Sequence, residues 1–184
     1  MASRKQTVAI AAACTLVFSG TAAFEGLITY PNPDPGRPHL QEVCFGDTEV
    51  EMRNYTVPEC QQLLLLRLQR DYAPKVLACV PTLIDRKNEL AAASDAAYNG
   101  GPGKITDHKR GFCGSKIAAR WRAGDWKGGS NLFPTWQTMP GTRVHYGVMA
   151  RRYFEQCVAL NLGSINCCVS YGYAKARAAR RRPS

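Results

Sequence analysis

The chain has 184 residues, the size of one domain, with 45% hydrophobic and 21% charged residues; this excludes a disordered polymer and leaves material for one core. Lys and Arg number 24 against 14 Asp and Glu, a net charge of +10, and eight cysteines point to an oxidising compartment or a metal site. Lys175, Arg177, Arg180, Arg181 and Arg182 supply half of that charge within the last ten residues. Residues 161–184 therefore read as a solvated basic tail with attraction for anionic polymer or lipid. No zinc-finger, helix-turn-helix or RNA-binding signature accompanies the tail, so no nucleic-acid partner is expected.

In chain order, Arg4 and Lys5 precede an apolar run from Val8 to Phe18 and then the small residues Ser19, Gly20, Thr21, Ala22 and Ala23. That is the layout of an export signal, and its leading cations place the N-terminus in the cytoplasm and the rest outside. The run is Ala-rich and weakly hydrophobic, so residues 7–23 are expected to associate with the inner membrane transiently. Pro31, Pro33, Pro35 and Pro38 exclude helix from 29 to 47, which reads as loops and short strands. Val43, Phe45, Val50 and Met52 suggest a twisted hairpin around Gly46. Thr56 and Glu59 form a capping box with Pro58 in the first turn, opening a helix through Leu63 to Leu68. A second helix is expected from near Thr82 and Asp85 to Asn99, before Gly100 and Gly101. A third is expected from Ser115 to Ala123, and a last one from about Arg143 to Leu162. The outline is α+β, mostly α, with a small β-containing lobe ahead of a helical lobe.

The part after residue 23 lacks a zinc-type Cys-x-x-Cys pair, a phosphate-cradling loop and a G-x-S-x-G elbow. No metal and no cofactor are expected. Carboxylates remain: Glu25, Asp34 and Glu42 all fall in the irregular lobe, where solvated surface acids are the plain alternative. Trp121, Trp126 and Trp136 read as core, and Arg151 and Arg152 as solvated helix residues paired with acids.

A set of short motifs resembles the phage-type lysozymes, glycoside hydrolase family 24. Phe24-Glu25-Gly26, Tyr30 and Pro33-Asp34-Pro35-Gly36 are similar to that family's opening, and Val43-Cys44-Phe45-Gly46 with Thr48 to the segment that follows. Ala97-Tyr98-Asn99-Gly100-Gly101 resembles F-N-x-G, Phe112-Cys113-Gly114-Ser115 resembles F-C-x-S, and Arg122-Ala123-Gly124-Asp125-Trp126 resembles N-A-G-D-Y. Trp136, Gly141-Thr142-Arg143-Val144, Gly147-Val148 and Arg151-Arg152 with Glu155 and Cys157 match the end of the pattern. Order and spacing, over about residues 24–158, are more specific than any single motif. Two positions depart: Glu42 stands where the family has a Thr, and Asp47 where it has a His.

The resemblance implies a two-lobed lysozyme-like fold over residues 24–160 that hydrolyses the glycan of peptidoglycan as a monomer. Glu25 would be the general acid, and Asp34 would orient water or stabilise positive charge. Glu42 would act as base, attack as nucleophile, or merely repel Glu25. Tyr98, Asn99 and Arg151 would bind substrate, Asn99 being otherwise a helix cap. Seven cysteines follow Cys14, an odd number, so one thiol stays unpaired or pairs between chains. Some relatives carry a signal-arrest-release segment that tethers the enzyme until it leaves the membrane, and a thiol there then exchanges disulfides. Cys14 in residues 1–23, with Cys44 beside Glu42, is similar to that arrangement. Retaining the segment keeps a helix ahead of Glu25, whereas cleavage after Ala23 removes it; the enzyme would be tethered first and then periplasmic. A lytic transglycosylase and a non-catalytic wall-binding protein on the same scaffold are the rival readings.

Overall fold

Helix α1 spans Arg4–Glu25, capped by the Ser3 hydroxyl on the Gln6 amide, and runs without a break through the boundary expected at residue 23. Its buried residues, Ile10, Ala13, Cys14, Val17, Gly20 and Thr21, recur at helical spacing and make one stripe. The structure, a computed structural model, describes residues 3–34, 37–108, 111–136 and 146–180, with Arg37 described by its backbone alone. Pro35-Gly36, the Gly141 to Val144 motif, the expected helix start at Arg143, and Arg181 and Arg182 lie outside the described residues.

Gly26 ends α1 with φ of 75°, a left-handed conformation that turns the chain out of the helix directly after Glu25. Strands β1 (Ile28–Asp34) and β2 (Arg37–Cys44) then pair antiparallel. The hairpin therefore precedes Gly46 instead of surrounding it, and Val50 and Met52 are outside strands. The short strands expected between 29 and 47 are thus present, and three prolines, Pro31, Pro33 and Pro38, sit inside them. In a two-stranded sheet both strands are edges, so missing amides cost no ladder bond on the outer side. Register is irregular between Ile28 and Asn32 and between Pro33 and Asp34, and Asn32 pairs with Glu42.

The helical body begins with α2 (Val57–Arg67), where both bonds of the Thr56–Glu59 capping box form. A π-type turn at Leu68–Tyr72 leads to α3 (Ala73–Cys79), and a 3-10 turn at Pro81–Asp85 to α4 (Lys87–Gly100). Short helices α5 (Lys116–Arg122) and α6 (Trp126–Ser130) and a 3-10 turn at Phe133–Thr135 follow, then α7 (Tyr146–Ala159) and α8 (Ile165–Arg180). Helix α4 is the axis of the body: Leu90, Ala91, Ala92, Ala93, Ala96 and Ala97 are fully buried, and side chains this small let α1, α3 and α7 approach closely. Trp121 is fully buried, whereas Trp126 and Trp136 are only partly buried, each under an arginine: Arg86 lies 4.2 Å from the Trp126 ring centre and Arg152 4.7 Å from that of Trp136.

Up to Arg180 the expected solvated tail is helix α8, packed on α7 and α1. Cys168, Gly172 and Ala176, four residues apart, bury its inner stripe, and Cys168 is bonded to Cys157 of α7. Cys44–Cys60 and Cys79–Cys113 are the other disulfides, leaving Cys14 buried and Cys167 exposed as free thiols. Cys44 is thus not a thiol here. Its disulfide ties the end of β2 to α2.

Candidate active site

Where the hairpin meets the helical body a cleft of about 420 Å³ opens, lined by Glu25, Asp34, Glu42, Tyr98 and Asn99 among others. Five of the six expected catalytic and substrate-binding residues therefore come together on its wall. Arg151 lies beneath the cleft, 3% exposed, and holds Glu25 from below.

Each side chain arrives for a local reason. Glu25 is the last residue of α1, Asp34 the last of β1, and Glu42 sits on β2 opposite Asn32, so the hairpin carries two acids towards a third at a helix end. Gly46, with φ of 74°, is the floor between them: a Cβ there would be 3.5 Å from Glu25 Oε2 and 3.8 Å from Glu42 Oε2. The missing side chain leaves space for a small molecule between those two carboxylates.

Beneath Glu25 is a buried charge network. Arg151 Nη1 donates to Glu25 Oε1, while its Nε and Nη2 grip Asp95 of α4, at 3.0 Å from Oδ2 and 2.8 Å from Oδ1. The Thr21 hydroxyl of α1 donates to the same Asp95 Oδ1 at 2.7 Å. Burial alone would push the Asp95 carboxyl up, but the Arg151 guanidinium outweighs it and holds the pKa below the ordinary value. Its neighbour Glu155 is also fully buried, and there burial wins and drives the carboxyl well above the ordinary range. Glu155 Oε2 accepts from Arg152 Nη1 at 2.6 Å, whereas Oε1 has no donor facing it. Arg151 and Arg152 are therefore buried: Glu25 and Asp95 from α1 and α4 pair with Arg151, and Glu155 of α7 itself and Asn99 of α4 take the two Nη groups of Arg152, whose Nε stays without a partner.

Tyr98 and Asn99 both face the cleft from α4 with their polar atoms engaged. The Tyr98 hydroxyl donates to Phe45 O at 2.8 Å, fastening the hairpin end to the helical body, and burial pushes its phenol pKa up. Asn99 Oδ1 accepts from Arg152 Nη2. Across the cleft, Asp47 Oδ2 and Arg67 Nε stand 2.9 Å apart, off the line of a hydrogen bond. Arg67 also reaches Glu49 at 2.6 Å and Asp71 at 2.5 Å. Burial opposes the Arg67 charge, but these acids outweigh it and raise its pKa. The Asp that replaces the family's His is thus half of an ion pair.

Sequence reasoning missed Thr21, Asp95 and Arg67. Asp95 had a visible signal, being the lone acid in an alanine-rich stretch between Ala91 and Ala97, and Thr21 is the lone hydroxyl one turn before Glu25. Arg67 had none, because its partners are set by tertiary packing.

Carboxylates gathered in a cleft between a hairpin and a helical body are the equipment of acid–base cleavage of a glycosidic bond. The chain belongs to the phage lysozyme family, whose model matches residues 22–155. The fold is also that of an endolysin from the Escherichia coli phage FAHEc1, with 21% identity, TM-score 0.55, and coverage of 89% of this chain and 96% of that one. It is likewise that of the muramidase domain of SpmX from Asticaccaulis excentricus, with 20% identity, TM-score 0.57 and coverage of 86% of this chain and 96% of that one. The active form of the P1 phage endolysin Lyz matches at 16% identity and TM-score 0.53, over 82% and 93%. No curated protein matches by sequence. Family and fold together support a peptidoglycan-lytic, lysozyme-like enzyme.

Proposed function

We propose that the chain is an endolysin that hydrolyses the β-1,4 bond between N-acetylmuramic acid and N-acetylglucosamine and so lyses a host cell. The convergence of Glu25 and Glu42 on the bare backbone of Gly46, with Asp34 on the same cleft wall, is the observation that carries this. Glu25 gives its proton to the leaving glycosidic oxygen as the bond to the anomeric carbon breaks. Glu42 takes the proton of a water held above Gly46 as that water attacks, and Asp34 stabilises the positive charge that develops on the sugar. Here Glu42 replaces the water-holding hydroxyl that the family resemblance implies.

Export is assigned to α1, with 22 residues and a mean hydropathy of 1.8 in its apolar window. It first tethers the chain to the inner membrane and then docks into the body, which delivers Glu25 to the cleft of the periplasmic enzyme. Cys14 on that helix is the thiol available for exchange while α1 is undocked.

Purified full-length protein on isolated peptidoglycan tests this. Wild type should clear turbidity and release reducing muramic ends, and Glu25→Gln should lose about 10²–10⁴-fold in rate. Full activity of Glu25→Gln would overturn the assignment. Anhydro-muramic ends would instead define a lytic transglycosylase, and binding without clearance a non-catalytic protein. A mature N-terminus at Phe24 in the exported protein would refute retention of α1.

A further inference from the structure

We propose that Thr21 is a positioning residue for the acid, acting through Asp95 and Arg151; this rests on the assignment of Glu25 above. Thr21 and Glu25 are four residues apart on α1 and so share a face of the helix. Between them they grip the two ends of one buried unit. Asp95 Oδ1 accepts from the Thr21 hydroxyl at 2.7 Å and from Arg151 Nη2 at 2.8 Å, and Oδ2 accepts from Arg151 Nε at 3.0 Å. With that edge of the guanidinium fixed in a planar fork, Nη1 is aimed at Glu25 Oε1.

The bland account of a buried threonine is that its hydroxyl satisfies itself on the carbonyl one turn back, and Val17 O is indeed 3.3 Å away. A hydroxyl has one proton, and the shorter contact, to a charged acceptor, takes it. The other residues of the buried stripe, Ile10, Ala13, Cys14, Val17 and Gly20, carry no hydroxyl, so packing alone does not call for one at 21. Thr21, Asp95 and Arg151 are 0%, 0% and 3% exposed, which leaves no room for bulk water to replace a lost donor.

Without the Thr21 proton Asp95 loses its anchor on α1 and is held by Arg151 alone. The pair can then shift together, with Glu155 Oε1, 3.8 Å from Arg151 Nε, as a competing partner. The charge facing Glu25 is no longer fixed, and the acid loses its orientation before its binding role is touched. Because Thr21 and Glu25 ride on the same helix, docking of α1 places the acid and fixes its counter-charge in one event.

Steady-state kinetics of the purified full chain on solubilised peptidoglycan test this. Thr21→Val, which keeps the shape and removes the hydroxyl, should lower kcat about ten- to a hundred-fold with KM within about twofold. Thr21→Ser, which restores the proton, should recover most of kcat. Thr21→Ala, too small to clash, carries the same expectation as Val should that variant fail to fold. Wild-type kcat in folded Thr21→Val or Thr21→Ala would overturn the proposal, as would an equal loss in Thr21→Ser. Glu25→Gln measured alongside separates the two claims: if it stays active, the assignment of the acid has failed, whatever Thr21 does.

Discussion

Replacing Gly20 by Ala sets two effects of opposite sign against each other. In an exposed helix Ala would gain about 1 kcal/mol over Gly, because it restricts the unfolded chain and covers backbone. Gly20, however, is where α1 crosses α7, and a Cβ there would lie 2.2 Å from Phe154 Cζ and 2.6 Å from Cε2. Ordinary carbon contacts sit at about 3.5–4.0 Å, so the ring must move by more than an ångström. It has nowhere to go: Phe154 is fully buried and packs against Phe24 at 5.2 Å between centroids, which in turn stacks on Tyr173 of α8 at 5.3 Å. Overpacking of this kind costs about 1–3 kcal/mol, and a contact this short belongs at the upper end. The clash therefore wins, for a net loss of about 2 kcal/mol, or roughly 4–8 °C in Tm for a chain of this size. Denaturant titration should show a lower midpoint at unchanged m. Phe154 is one turn from Arg151 on α7, so the displaced helix should also lose lytic activity beyond the loss in folded fraction. Gly20→Ala combined with Phe154→Leu should recover part of both. A single variant that melts at or above wild type would refute the claim that α1 and α7 are locked at this crossing.

Two further outcomes follow from the buried groups. Burial pushes the Cys14 thiol up to about 12, so native protein should take up one equivalent of a thiol alkylating reagent at neutral pH, on exposed Cys167, and two after denaturation without reductant; native modification of Cys14 would mean that α1 undocks readily. Glu155 has a raised pKa in the folded state, so its contribution to stability is complete below the unfolded value of about 4.5 and is lost as pH rises. Glu155→Gln should therefore flatten the decline of Tm between acid and neutral pH; a variant whose Tm falls as steeply as wild type would show that Glu155 is ionised in the fold.

What was legible in the sequence was local. The Thr56–Glu59 box, the Ser115 cap on the Ala118 amide and the end of α4 at Gly100 are each fixed by residues within a turn of one another. The three cleft acids were legible only through the resemblance of their motifs to the phage-type lysozymes, since loop acids by themselves read equally well as solvated surface groups. The hairpin was placed too far along the chain because the apolar alternation of Val43, Phe45, Val50 and Met52 around Gly46 imitates a strand pair, whereas the pairing that forms joins Ile28–Asp34 to Arg37–Cys44. Helix α8 was hidden for another reason: its buried stripe is Cys168, Gly172 and Ala176, residues too small to raise a hydropathy signal above five nearby cations. The Asp95–Arg151 pair joins positions 56 residues apart, and no local pattern encodes a contact of that range.

Small residues also reconcile the two demands that the proposed release places on α1. At about 1.5 Å per residue its 22 residues extend about 33 Å, enough to cross the roughly 30 Å of a bilayer interior. A helix of large apolar residues would stay there, since each buried methylene adds about 0.8 kcal/mol to the cost of leaving. Alanine, glycine and threonine on α1 lower that cost. The same residues let the helix lie close against α4 and α7 once docked, as Ala13, Gly20 and Thr21 do. The stripe that docks is narrow, and Val8 stays 61% exposed, so docking recovers only part of the apolar burial that a membrane gives. The balance must then be tipped by polar contacts that exist only in the docked state. Thr21 on Asp95 and Glu25 on Arg151 are contacts of that kind, and they are also the ones that set the proposed acid in the cleft.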